Sequence, residues 1–346
     1  MKQIISLSIL ISIMSAGCGN KAQKLSQAQE VFRQGSELTS TGSVPDMLKA
    51  KELFKQSVTI DSTFAPGYAQ IAITNASLAG DWNYLSPEKA YPEAIIASDR
   101  SIALDENLAA GYLAKALIAQ YHYWNWSEAE ANYEKGIALD PSNVELIIKS
   151  AWLKYFLNKQ AEAQEMIEKA GQLDPDSPGF RSFLVFDLVY SERFDEARKY
   201  IMNDIDANPD DPYNYWVMSI LCSKEGSHNE AIDNLNIQIP LMKGDIADEL
   251  ALSGYNYGRL GKTEEALAKL AALDELAAGG VYVSPVAKAW VFCGINDKDS
   301  AMHYLEKAYQ QRDNRMGLDL LSFSFIYEPI AGDPEFTELL KKSNLQ

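Results

Sequence analysis

Few residues in this sequence have the chemistry or the spacing of a catalytic or metal site. The three histidines are His122, His228 and His303. No two of them have the three- or four-residue spacing that places two metal ligands on one helix face. The sequence also contains no GxSxG, Walker A or GxGxxG motif. We therefore expect no metal, no cofactor and no catalytic residue, and we predict that the chain is not an enzyme.

Paired carboxylates occur at Asp210–Asp211 and Glu264–Glu265, but both pairs stand where a helix is predicted to begin. An acidic side chain there complements the positive end of the helix dipole, so these residues need no catalytic role. The pair Gly279–Gly280 lies between two predicted helices and is interpreted as a helix breaker.

One cysteine does have a predicted chemical role. The chain begins with a positive charge in MKQ, continues with the apolar run IISLSILISIM and reaches Cys18 through the small residues SAG. This order is typical of an export signal, and the run is shorter than the ~20 residues of a membrane-spanning helix. The ending resembles the lipobox of bacterial lipoproteins, although Ser15 stands where leucine is commonest. That resemblance implies a signal peptide at 1–17 and acylation of Cys18, whereas the alternative is an ordinary secreted protein.

The resemblance also sets the expected location. Residues 18–25 would form the lipidated cysteine and a short tether, and a single domain would occupy 26–346. Gly19 and Asn20 follow the cysteine, without the aspartate that favours retention in the inner membrane. We therefore expect a protein of the bacterial cell envelope that faces the periplasm from the outer membrane and touches the membrane only through its lipid. The two remaining cysteines, Cys222 and Cys293, are expected to be unpaired core residues.

The charge of the chain excludes one class of partner. Its net charge is -17 and its pI is about 4.7. Because nucleic acids are bound through clustered lysine and arginine, we expect no nucleic-acid partner. With 47% hydrophobic residues, the 346-residue chain is expected to be globular.

The organisation of the chain follows from an internal repeat. A short motif that starts with alanine recurs eight times, at Ala50, Ala94, Ala129, Ala163, Ala197, Ala231, Ala266 and Ala301. In every copy except that at Ala94, a large residue follows the alanine by four positions. Most spacings are 34 or 35 residues, the length of a tetratricopeptide repeat. Capping boxes are predicted at Ser127, Ser142 and Ser227, each followed three residues later by glutamate. The single spacing of 44 predicts an insertion near GDWNYLSPEKAYPEA.

This pattern resembles the tetratricopeptide family. The resemblance implies an all-α fold, a right-handed superhelical solenoid of about eight helix-turn-helix repeats, with a C-terminal capping segment at about 316–346. Small residues would let the two helices of a repeat cross closely, and neighbouring repeats would bury the apolar face that one repeat cannot bury alone. In the cap, Asp333 is expected to cap a last helix that begins at Pro334.

Three segments carry a more specific resemblance: YWNWSEAE (123–130), YVSPVAKAWVFCGINDKDSAMHYLEKAYQQRD (282–313) and YEPIAGDPEFTELLKK (327–342). They resemble the long repeat array that bacterial regulators carry after a winged-helix, kinase or nucleotide-cyclase domain. No such domain precedes the array in this sequence, so its regulatory activities do not carry over. The resemblance implies an interaction module.

The family geometry also predicts where a partner would bind. The first helix of each repeat lines the concave side, and its ninth position points into the groove. These positions hold Ile73, Leu117, Trp152, Phe186, Ile220, Tyr255 and Trp290. The candidate partner-binding residues are Trp152, Tyr155, Phe186, Tyr213, Trp216, Tyr255 and Trp290. Either a tight superhelix buries this column, or the column is an exposed path for a ligand.

We predict a scaffold or adaptor that binds a protein or peptide segment of another envelope protein in this groove. The alternative is a glycan-binding lipoprotein, because aromatic faces also stack on sugars.

Overall fold

The computed structural model describes residues 2–39, 43–242, 246–317 and 319–345, and the side chains among them except those of residues 2–20 and 319. The side chain of Cys18 is therefore outside the described residues, although α1 runs through that position. Throughout the described chain the secondary structure is helical. Sixteen of the described helices form consecutive pairs, and each pair consists of the first and the second helix of one repeat. The pairs are α1 (Lys2–Thr39) with α2 (Val44–Ile60), α3 (Ala65–Gly80) with α4 (Pro87–Leu104), α5 (Ala109–Ile118) with α6 (Trp126–Leu139), α7 (Val144–Phe156) with α8 (Gln160–Leu173), α9 (Pro178–Tyr190) with α10 (Phe194–Ala207), α11 (Pro212–Glu225) with α12 (His228–Leu241), α13 (Ala247–Arg259) with α14 (Thr263–Ala278), and α15 (Pro285–Gly294) with α16 (Lys298–Gln310).

The packing within these pairs follows the repeat found in the sequence. All eight repeat alanines lie on a second helix, and each has 0% of its surface exposed. A small side chain is needed there because the two helices of a repeat approach most closely at that point. The predicted solenoid of about eight helix-turn-helix repeats is confirmed.

A larger side chain at such a position should overpack the helix crossing. Replacing the buried Ala163 by leucine is expected to cost about 1 to 3 kcal/mol of unfolding free energy, because extra methylenes force neighbouring side chains out of their preferred rotamers. Ala161 is exposed on the same helix, so Ala161→Leu is a matched control that should change stability little. Urea denaturation of the two variants and the wild type measures the difference, and equal midpoints for all three would contradict the packing described here.

The predicted capping boxes are wrong in detail. At α6 and α7 the capping residue is an asparagine, since Asn125 accepts from the amide of Glu128 at 3.3 Å and Asn143 accepts from the amide of Leu146 at 3.1 Å. Ser227 does stand at the start of α12, but it makes no side-chain capping bond. The asparagines satisfy the free amides of the first turn in the same way that a serine would.

After α16 the described residues 313–317 and 319–345 form a tail that crosses the concave side of the solenoid. It contains a 3₁₀ turn (Asn314–Met316), α17 (Asp319–Ser322), a 3₁₀ segment (Ser324–Ile330) and α18 (Pro334–Lys342). Asp333 accepts from the amide of Glu335 at 2.8 Å, which confirms the predicted cap of the last helix. Near its start, the Asn314 amide accepts from the Tyr91 hydroxyl and donates to the Ala79 carbonyl at 2.7 Å. The tail therefore joins the end of the chain to the second repeat.

The end of the tail contacts the third repeat at the aromatic turn, residues 119–126. Here α5 continues as a π-helix (Ala119–Tyr123), and Trp124 adopts a left-handed conformation with φ 50° and ψ 37°. The Trp126 indole donates to the Asn344 carbonyl at 2.6 Å, and the Asn344 amide donates to the Trp124 carbonyl at 3.1 Å. The distinctive turn in the sequence is thus a docking point for the tail.

Arg315 connects the tail to both ends of the solenoid. Its side chain is 2% exposed, forms an ion pair with Asp248 and stacks on the Trp290 ring at 4.7 Å. With the Asn83 amide oriented so that its oxygen faces the guanidinium, Asn83 accepts two further hydrogen bonds, at 3.0 and 3.1 Å. Asn83 lies between α3 and α4, in the insertion that the 44-residue spacing predicts. The insertion therefore contributes to the docking of the tail.

Candidate functional site

The first helices of the central repeats carry a cluster of contacting aromatic rings. We call Trp152, Tyr155, Phe156, Phe183, Phe186 and Tyr190 the aromatic cluster. Ring centroids are 4.6 Å apart between Trp152 and Phe183, 5.9 Å between Trp152 and Phe186, and 6.0 Å between Tyr155 and Tyr190. Only Phe183 is buried, whereas the other five rings are half-buried. The concave face therefore presents a large aromatic surface on α7 and α9.

An open cleft separates one edge of the aromatic cluster from the tail. It has a volume of about 520 Å³. Tyr155, Phe156 and Tyr190 line one wall, and Leu321 and Phe325 line the other. Lys224, at the end of α11, also faces it and pairs with Glu192 at 3.2 Å. Polar side chains, among them Asn158, Gln160, Ser322 and Ser324, also line the cleft, so it combines apolar walls with polar groups.

Two further predicted site residues lie on α11. Tyr213 is exposed, at 43%, and its hydroxyl is hydrogen-bonded to that of Ser182 on α9. Desolvation inside the concave face raises the pKa of Tyr213 to about 12, so the hydroxyl stays protonated. Trp216, one turn later, is half-buried. The hydrogen bond to Ser182 links Tyr213 to α9, the helix that also carries Phe183, Phe186 and Tyr190 of the aromatic cluster.

The remaining predicted site residues, Tyr255 and Trp290, lie under the tail. They are 2% and 0% exposed. The Trp290 indole donates to the Tyr327 hydroxyl at 2.8 Å, and the Tyr255 hydroxyl donates to the Phe325 carbonyl at 3.4 Å. In this arrangement both residues contact the tail and have no surface to offer a partner, so we leave them out of the candidate site.

The column of ninth positions thus has two environments. Ile73, Leu117 and Ile220 are buried in the core, as are the two residues under the tail. Trp152 and Phe186 remain accessible between them. Both interpretations of the sequence pattern apply, each to a different part of the column.

A charged group lies beside the aromatic cluster at the start of α7. Lys149 pairs with Asp81 at 2.7 Å, which joins the second and fourth repeats across the concave face. Glu145, one turn before Lys149, is exposed and has no hydrogen-bond or ion-pair partner among the described residues. Its pKa is raised, chiefly because the enclosing concave wall desolvates the carboxylate and also because Asp81 is near, while Lys149 opposes the shift.

Groups that could perform covalent or metal chemistry are not assembled in this site. Burial raises the pKa of Cys222 and of Cys293 to about 12, so both are buried thiols and not nucleophilic thiolates. Over the described ranges, no set of three histidine, cysteine, aspartate or glutamate side chains is placed to hold a metal ion. In the same part of the chain, no helix combines the length and the apolar character required to span a bilayer.

Comparison with known proteins identifies the fold. No protein-family model matches the sequence, and no curated protein is significantly similar to it. Human IFIT1 in complex with m7Gppp-AAAA is similar in structure, with 15% identity over 92% of this chain and 71% of its own, and a TM-score of 0.60. The Cut9–Hcn1 hetero-tetramer of the APC/C is similar over 86% of this chain and 52% of its own, with 15% identity and a TM-score of 0.54.

A thermophilic TPR protein of Thermus thermophilus matches over 54% of this chain and 94% of its own, with 18% identity and a TM-score of 0.44. The chain is an α-helical repeat solenoid. At these identities the solved structures share the fold of this solenoid and nothing more. Its individual features, the tail and the aromatic cluster, are therefore interpreted from its own residues.

The sequence did not lead us to predict that the tail forms part of the candidate site. Leu321 and Phe325 line the cleft, but they lie beyond the last repeat, where only a cap was expected. A signal was present, because the run LLSFSFIY (320–327) carries more large apolar residues than a short terminal cap needs.

Proposed function

We propose that this TPR solenoid is a non-enzymatic scaffold or adaptor that binds an extended or helical segment of another protein along the concave face of its central repeats. The observation that carries the proposal is the half-buried aromatic cluster beside an open cleft. Large aromatic side chains that remain accessible on a rigid surface are the residues that dominate binding energy at protein interfaces. The rigid helices of three repeats hold them in place.

The proposal is tested by truncating aromatic residues that contribute to the surface. Trp216→Ala and Tyr155→Ala are expected to lower the capture of the partner by crosslinking in intact cells, with a loss of affinity of about 2 kcal/mol or more for each anchor residue. Leu267→Ala is the control, because Leu267 is also exposed but lies on α14, outside the three repeats that carry the candidate site. Unchanged capture by both site variants would contradict the proposal. Quenching of tryptophan fluorescence by sugars, lost in the same variants, would instead favour the glycan-binding alternative.

We propose further that the protein is anchored in the bacterial envelope through a lipid on Cys18. The support comes from the sequence alone: the charged start, the short apolar run and the small residues before the cysteine. Such an anchor would leave the concave face free to bind a segment of another envelope protein.

Removing the acylated thiol should release the protein from the membrane. Cys18→Ser is expected to move the protein from the membrane pellet to the soluble fraction in cell fractionation, because a lipid supplies the membrane affinity. Thermal denaturation of the released protein should match that of the wild type, since the repeats take no part in anchoring. Sedimentation of the variant with membranes would refute the lipid anchor.

A further inference from the structure

The tail shows how this solenoid binds a segment of polypeptide on its concave face. Asp248 occupies the second position of the seventh repeat, and Trp290 occupies the ninth position of the eighth. Arg315 of the tail pairs with Asp248 and stacks on Trp290 at 4.7 Å. The aromatic ring of Phe323, also in the tail, lies 4.8 Å from the same indole. A carboxylate and an aromatic ring from adjacent repeats thus hold one arginine, and an aromatic residue of the same segment packs beside it.

The central repeats hold the same types of residue at the equivalent repeat positions, and among the described residues no ion pair or ring contact joins these to the tail. Glu145 occupies the second position of the fourth repeat, and Phe186 occupies the ninth position of the fifth. They are therefore the equivalents of Asp248 and Trp290, three repeats earlier. Glu145 is exposed, and the charged groups beside it are Asp81 and Lys149, which pair with each other. Its raised pKa, caused mainly by desolvation, is consistent with a carboxylate that a cation would stabilise.

We propose that the partner segment carries an arginine that pairs with Glu145 and, nearby, an aromatic residue that packs against Trp152 and Phe186. This inference rests on the proposed function, and it specifies the chemistry of the partner. Arginine suits the position better than lysine because its planar guanidinium can pair with a carboxylate and stack on a ring at the same time. The net charge of -17 also favours a cationic segment, since complementary charge accelerates encounter and fixes register.

The geometry sets the spacing of the two partner residues. Glu145 and Trp152 lie seven residues apart on α7, which corresponds to ~10 Å along a helix. An extended segment advances ~3.3 Å per residue, so the arginine and the aromatic residue should lie about three positions apart in the partner sequence.

The probe is a set of synthetic 12-residue peptides with a Gly/Ser background. Each peptide carries one arginine and one tryptophan, two to five positions apart. Fluorescence anisotropy measures the binding of each peptide to the full chain with its tail in place. Peptides with a spacing of about three should bind best, and replacing their arginine by serine or glutamate should weaken binding about tenfold or more. Glu145→Gln should cause the same loss, whereas Glu264→Gln, at the exposed start of α14, should not. In a charge reversal, Glu145→Arg should prefer the peptide in which glutamate replaces arginine.

The variants distinguish a failure of the arginine inference from a failure of the proposed binding surface. If Trp152→Ala weakens binding while Glu145→Gln and the loss of the peptide arginine do not, this inference is overturned and the proposed binding surface stands. If Trp152→Ala also leaves peptide binding unchanged, the proposed surface fails with it. Absence of binding by every peptide of the set would likewise overturn the arginine and aromatic recognition proposed here.

Discussion

Replacing Arg315 by alanine should lower the unfolding free energy by about 3 kcal/mol, because it breaks an ion pair in which the guanidinium is buried and leaves a cavity where the long side chain packed. The Arg315 side chain is 2% exposed and contacts Asp248 of α13 and Trp290 of α15. The substitution also removes the packing of the guanidinium on the indole. We expect the tail to be the first segment to lose protection in the variant.

Urea denaturation measures the loss, and hydrogen exchange locates it in the chain. Arg100→Ala is the control, since Arg100 is exposed on α4 and should change stability by no more than about 0.5 kcal/mol. A variant at Arg315 that is as stable as the control would show that the tail contributes little to the fold.

The second large effect is expected at Trp290. Its side chain is 0% exposed and packs against Phe323 at 4.8 Å between ring centroids. Trp290→Ala should cost about 3 to 5 kcal/mol, because truncating a buried tryptophan loses apolar burial and leaves a cavity. Tyr327→Phe removes only the hydroxyl that accepts from the indole, so it should cost about 1 kcal/mol.

The comparison of Trp290 with Trp216 distinguishes core from surface within the predicted set of partner-binding residues. Thermal denaturation of the two alanine variants should give a large loss for the residue under the tail and a smaller one for the half-buried Trp216. If Trp216→Ala proved as destabilising as Trp290→Ala, Trp216 would belong to the core, and its effect on partner capture could not be attributed to contact.

The repeats could be predicted from the sequence because their determinants are local and recur. The alanine at each helix crossing identifies a repeat without knowledge of any other repeat, and all eight proved to be buried. The caps were harder to predict. At α6 and α7 both a serine and a nearby asparagine can cap the helix, and the choice depends on where the preceding turn ends.

The path of the tail could not be predicted, because it depends on the accumulated rotation of the whole solenoid. Asn314 meets Tyr91 only because the repeats between them turn far enough to bring the two ends together. A small change in rotation per repeat would separate them. For the same reason, the sequence could not tell which groove residues the tail covers, and it could not distinguish Tyr255 and Trp290 from Trp152 and Phe186.

The tail changes the order in which the contacts of this protein can form during folding. In an ordinary solenoid each repeat contacts only its neighbours, so folding can propagate along the chain and the ends can fray independently. Here the hydrogen bond from Asn314 to Ala79 spans 235 positions. Contacts of such separation form late and slowly, because a long loop must close first. The second and third repeats therefore gain their last contacts only after the tail has left the ribosome, and a chain truncated before Asn314 would lack the contacts that join the two ends of the solenoid.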